Sequence, residues 1–172
     1  MLEVGTARVD VHKITWTQID LGAKTITYTR SKTGVTVEVE ISDRLMAALQ
    51  ATPREHVTVI NTAFGQPFTI NGFSGFMRDA IRAAGLPLEC RPHGLRKTLG
   101  RRLADAEVST HDIMAALGHT TLAQAENYTR EANRRRGGRR ATVKLNDHNA
   151  NKPPQTDPES LGNSSKTEGE TK

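Results

Sequence analysis

With Cys90 as its only cysteine, the chain has no internal disulfide, which suits a reducing cytoplasm better than a secreted scaffold. No apolar run approaches the length of a membrane span or a signal-peptide core, and apolar residues make up only 35% of the 172 residues. A P-loop, a GxGxxG turn and a paired-carboxylate site are all missing, which removes the common nucleotide and glycoside chemistries. No internal repeat appears. From Asn146 onward the sequence holds one Leu, one Ala and no aromatic, too little to offset the entropy of ordering it. Residues 146–172 therefore read as a disordered polar tail, and 1–145 as one folded domain large enough for a hydrophobic core.

The net charge of +5 is unevenly spread. The tail carries five acids against three lysines, leaving +7 on the first 145 residues, and Arg130 to Arg140 holds six arginines against one Glu. A basic folded unit fits a polyanionic partner, either nucleic acid or a membrane surface, although a solvated basic run has the same composition.

Two strand-like runs lie early. Lys24 to Thr29 is rich in β-branched residues, and Val35 to Ile41 alternates Val35, Val37, Val39 and Ile41 with Thr36, Glu38 and Glu40. Gly34 between them supplies the positive φ of a turn, so the pair reads as an antiparallel hairpin with one wet face and Lys32 near its tip. Beyond the hairpin the pattern turns helical. Ser42 caps a short helix, and Phe73, Phe76, Met77, Ala80, Ile81 and Ala84 keep helical spacing up to Gly85. Leu95, Leu99 and Leu103 mark another helix. Ser109 with Asp112 forms a capping box for a helix closed by Gly118, and a last helical segment runs from Thr121 to about Arg135. The fold class is α+β and mainly helical, a small antiparallel hairpin or sheet followed by a helical bundle.

Singly, the polar residues of this bundle mean little: His93 could start a helix, His119 could sit in a loop and Tyr128 could belong to the core. Taken together, His93-Gly94-Leu95-Arg96, then Leu117-Gly118-His119 with His119 23 positions after Arg96, then Tyr128 nine further on, form an ordered set. That set resembles the C-terminal signature of the tyrosine recombinases, the phage integrase family. Gly5 to Asp10, followed by Trp16 and Ile19-Asp20, resembles the family's first arginine box, and Lys32-Thr33-Gly34 resembles the hairpin turn that carries its lysine. The resemblance covers roughly residues 4–131. It departs from the pattern in one residue: with Gly5 and Asp10 aligned, the arginine slot falls on Ala7 and Arg8 is one position late, about 100° away on a helix. The chain also begins close to the box, without the helices that precede it in the family or a separate DNA-clamping domain, so a catalytic domain shortened at its N-terminus is the expectation.

The resemblance implies the catalytic domain of a DNA breaking-rejoining enzyme, performing site-specific recombination or integration on double-stranded DNA. Tyr128 would be the nucleophile, forming a 3′-phosphotyrosine. Arg96 and Arg8 would clamp the phosphate, since a guanidinium forks onto two oxygens and never deprotonates. His119 would hydrogen-bond the phosphate, His93 would act as acid/base or orient it, and Lys32 would protonate the leaving 5′ oxygen. No metal and no cofactor is required by this scheme. The family further implies a homotetramer on DNA, with Glu131 to Leu145 as the segment that docks on a neighbour.

Alternative readings involve the same residues. Cys90-x-x-His93 with His111 and His119 could supply zinc ligands, although a closed site usually shows two tight pairs. The capped helix from Ser109 to Gly118 with the basic run could make a helix-turn-helix binder, and a shortened recombinase could survive as a DNA-binding module or inactive remnant. His12, His56 and His148 belong to no motif and read as solvent-facing.

Overall fold

Local signals set most of the elements in this computed structural model, which describes residues 1–87 and 89–152. Thr25–Thr29 (β2) and Thr36–Glu40 (β3) pair antiparallel, with Ile26 opposite Val39 and Tyr28 opposite Val37. A short strand not expected from the sequence, Ile19–Asp20 (β1), pairs antiparallel with the outer edge of β2, giving the order β1-β2-β3. Gly34 turns the hairpin at φ +69°. The alternation sorts the faces as its period requires: Val37 and Ile41 are buried while Thr36, Glu38 and Glu40 are exposed.

The helices begin at their capping residues. Ser42 Oγ accepts from Leu45 N at the start of Asp43–Gln50 (α2), and Thr69 Oγ1 from Gly72 N at the start of Ile70–Ala83 (α3). Pro92 opens Pro92–Asp105 (α4), where its missing N–H has no helical partner to lose. Ser109 Oγ accepts from Asp112 N and donates to the Asp112 carboxylate, starting Thr110–Leu117 (α5). Ahead of the sheet, Arg8–Val11 forms one helical turn (α1), and Leu122–Ala150 forms a long final helix (α6). This helix enters the stretch read as a tail and runs through it to Ala150; residues 153–172 of that stretch lie outside the described residues.

Three apolar clusters hold the first unit, Met1–Arg135. One joins the sheet to α2 through Val4, Ile26, Tyr28, Val37, Ile41 and Leu49. A second joins Ala104 of α4, Ile113 and Leu117 of α5, and Ala125 and Ala132 of α6. The third sets Val11 and Ile14 against Phe73 of α3. Each large side chain so buried contributes about 1.5–3 kcal/mol relative to exposure. His12 corrects the sequence reading: it is buried at 4% exposure and stacks on Phe73 with ring centroids 5.8 Å apart. It caps the C-terminal end of α1 and is buried there against α3, which the local sequence does not reveal.

From Arg136 the chain forms a second unit. Its described residues are largely helical, ending in a turn beyond Ala150, and none is buried. No helix among the described residues is long and apolar enough to cross a membrane.

Candidate active site

The residues Arg96, His119 and Tyr128 come together where α4, α5 and α6 meet. Arg96 is 3% exposed on the first turns of α4, and its guanidinium donates to the backbone carbonyls of Gly5 and Leu117. It thereby ties the loop before α1 to the C-terminus of α5. Burial lowers its pKa from the ordinary value, and the charge of Arg30 adds to that, while Tyr28 and Tyr128 oppose it. Such a group keeps its proton in any case, so the cost of burial is borne by the fold.

His119 follows directly from the end of α5. Gly118 there is left-handed at φ +57°, and a Cβ would meet Val37 Cγ2 at 2.5 Å and Arg30 Cδ at 2.6 Å. Glycine is thus required both for the turn and for the closeness of β3 and Arg30. The His119 ring lies parallel to that of Tyr128, 6.3 Å between centroids and 5° between planes. Its pKa falls to about 4, first through desolvation and then through the charges of Arg96 and Arg30. The imidazole is therefore neutral at neutral pH, with Nδ1 buried and unpartnered.

Tyr128 is half-buried on α6 and rests on Gly100, where a Cβ would lie 2.7–2.9 Å from its ring. The chain has one other tyrosine, Tyr28, which is 3% exposed and donates its hydroxyl to the Val4 carbonyl at 3.4 Å. Both phenols act on Arg96, but Tyr28 is committed to the core and Tyr128 is the one stacked on His119.

Three expected residues stand apart from this group. Lys32 is exposed in the hairpin turn, which is fixed from below by Ser31 N donating to Asp10 Oδ1 at 3.0 Å. His93 is exposed on the first turn of α4, its pKa lowered by partial burial and by Lys97 and Arg96. Arg8 is exposed, and its guanidinium donates to Ser74 Oγ of α3. It shares a shallow depression of about 350 Å³ with Ala7, Arg91, Pro92 and His93. Ala7, just before Arg8, is the extended residue that precedes α1.

One residue in the cluster escaped the sequence reading. Arg30, at the end of β2, is 8% exposed and donates to the carbonyls of Leu117 at 3.2 Å and Gly118 at 2.6 Å. The signal was the alternation itself, since Ile26, Tyr28 and Arg30 fall on one buried face. No group of three or more His, Cys, Asp or Glu side chains fit to hold a metal occurs among the described residues.

The family model described as the phage integrase family matches residues 1–135. The chain belongs to that family. Among solved structures, the integrase of transposon Tn1549 with circular intermediate DNA matches with TM-score 0.68 and 17% identity, over 80% of this chain and 55% of that one. XerA recombinase matches at 0.65 and 19%, over 74% and 50%. A lambda integrase dimer bound to a COC′ core site matches at 0.58 and 23%, over 74% and 48%, and lambda integrase also occurs as a tetramer bound to a Holliday junction. These likenesses establish the fold, a tyrosine recombinase catalytic domain, and the chain spans about half the length of the structures it matches. No curated protein matches the chain.

Proposed function

We propose that Met1–Arg135 carries the DNA-cleaving site of a site-specific tyrosine recombinase, with Tyr128 as nucleophile on double-stranded DNA. The observation that carries this reading is the convergence of Tyr128 from α6, Arg96 from α4 and His119 from just beyond α5, with the phenol stacked beside a neutral histidine and near a buried guanidinium. In the reaction Tyr128 Oη attacks the scissile phosphorus and loses its proton, the bond to the 5′ oxygen breaks, and that oxygen takes a proton. A free phenol holds its proton up to about pH 10, so nearby positive charge that favours the phenolate lowers the barrier. Arg96 supplies such charge and binds the non-bridging oxygens. His119, being neutral, offers one N–H to the phosphate and can accept a proton at its other nitrogen. Lys32, on the exposed turn, protonates the leaving oxygen, and His93 orients the phosphate at the rim. Arg8 joins them only by exchanging Ser74 for the DNA. The covalent link conserves the energy of the broken ester, so rejoining needs no nucleotide.

The DNA complexes of the Tn1549 and lambda integrases support a duplex substrate, and the lambda tetramer supports assembly of four copies on DNA. The competing reading is a DNA-binding module that does not cut, and the observation favouring it is Arg8 bonded away from the cluster. A duplex nicked near the scissile phosphate separates the two. The wild-type chain is expected to trap a covalent protein–DNA adduct and Tyr128→Phe none. Adduct surviving in Tyr128→Phe sinks the nucleophile assignment, and DNA binding without any wild-type adduct leaves the binding module.

A further inference from the structure

Two arginines are buried side by side here, and no acid pairs with them. Arg30 and Arg96 both donate to the carbonyl of Leu117, so their guanidinium groups flank a single oxygen. None of the ion pairs among the described residues involves either one. Asp10 is the buried carboxylate nearby: its Oδ1 accepts from Ser31 N, its Oδ2 has no hydrogen-bond partner, and its charge offsets part of that on Arg96 without an ion pair to either arginine. Each carbonyl bond satisfies an N–H without neutralising the charge. Two cations held this close, with Asp10 near but in no ion pair with either, are costly, and part of the cost is recovered when an anion enters. Two nitrogens beside them lack hydrogen-bond partners, Arg30 Nε and His119 Nδ1; both are buried, as is the unpartnered Asp10 Oδ2, so an anion reaches them by displacing the groups that cover them.

We infer that Arg30 is the second arginine of the phosphate clamp, taking with Arg96 and His119 the non-bridging oxygens of a DNA phosphate in place of a guanidinium at Ala7. The inference rests on the proposed cleavage reading for its substrate, and on the geometry alone for its anion. Arg30 reaches the site from the sheet, whereas the arginine slot before α1 holds a methyl group. The electrostatics agree, because Arg30 acts on both Arg96 and His119. The base of the clamp is rigid: Gly118 packs on the Arg30 side chain, and the two carbonyls at the end of α5 hold Nη1.

The test compares the wild-type chain with Arg30→Gln, Arg30→Lys and, as control, Arg44→Ala. Glutamine keeps an N–H for the carbonyls and removes the charge. Melting is measured first, in inorganic phosphate against chloride at equal ionic strength. Phosphate is expected to raise the Tm of wild type and Arg44→Ala but not of Arg30→Gln. Adduct formation is then measured on a nicked duplex with either an ordinary phosphate or an uncharged methylphosphonate at the scissile position. Arg30→Gln should lose about a hundredfold on the phosphate and regain most of it on the methylphosphonate, while Arg44→Ala, an exposed arginine of α2, stays within about threefold of wild type. Wild-type cleavage by Arg30→Gln, an equal loss on both substrates, or phosphate stabilisation that survives the substitution overturns the clamp. Should Arg30→Gln fail to fold, Arg30→Lys keeps the charge without the fork and is expected to lose about tenfold on the phosphate and less on the methylphosphonate; equal losses again overturn it. If wild type forms no adduct while phosphate still stabilises through Arg30, the cleavage reading falls and the clamp stands.

Discussion

His119 shows how a residue's chemistry is set by what surrounds it. Desolvation and two guanidiniums disfavour its charged form, which puts its pKa at about 4 against an ordinary 6.5. The direction fixes a sign. Between these values the unfolded chain binds a proton that the folded chain does not, so this residue's contribution to stability falls as pH drops from 6.5 towards 4 and levels off below. An NMR titration of His119 should find its midpoint near 4, and Arg30→Gln should move it upward by removing one of the charges. A midpoint near 6.5 in the native chain would mean that the ring is solvated and the arginines distant. His119 and Tyr128 were legible in the sequence because their chain spacing is itself the motif. Arg30 was not, because what makes it matter is the Leu117 carbonyl, 87 positions away. Ala7 and Arg8 were legible as an irregularity, but the Ser74 partner that holds Arg8 belongs to a helix whose position no local pattern gives.

Elements were easier to read where the determinants are local. The hairpin, the Ser42 and Ser109 caps and the left-handed Gly118 each depend on residues within a few positions. β1 is two residues long and exists only because Ile19 finds Ile26 on β2. The face of α4 shows the same limit. Leu95, Leu99 and Leu103 mark it as a helix, yet the buried positions are Arg96, Gly100 and Ala104, small residues beneath the charged one. Small side chains there let the alanines of α6 share the cluster and bring Tyr128 onto the backbone of α4. Gly100→Ala tests this packing. Alanine is favoured over glycine in a helix by about 1 kcal/mol. Overpacking against the tyrosine ring costs about 1–3 kcal/mol, so the stability change is a small net loss. The functional loss should be larger, because the ring has to move. We expect a Tm within a few degrees of wild type and an adduct rate at least about tenfold lower, since misplacement by about 1 Å costs far more in rate than in stability. A variant that cleaves at the wild-type rate would show that Tyr128 is not held by this contact.

At the scale of the whole molecule, the distribution of burial predicts where the chain can be cut. The last buried residue among those described is Ala132, and the family match ends at residue 135. Past that point α6 carries Gly137 and Gly138 in its interior, each about 1 kcal/mol less favourable than alanine, and no apolar cluster among the described residues offsets them. A chain ending at Arg135 keeps all three clusters and the Arg135–Asp105 ion pair at 2.6 Å, so it should unfold cooperatively with a Tm close to that of the full chain. It loses Arg136, Arg139, Arg140 and Lys144. If these contact the DNA backbone, affinity should fall, and the dependence of log K on log salt should flatten by about 0.9 for each phosphate contact removed. Adduct formation at saturating DNA should persist, because Tyr128, His119, Arg96 and Arg30 all remain. Loss of cooperative unfolding in the shortened chain would show that the stretch beyond Arg135 is part of the fold, and an unchanged salt slope would show that its arginines are a solvated face.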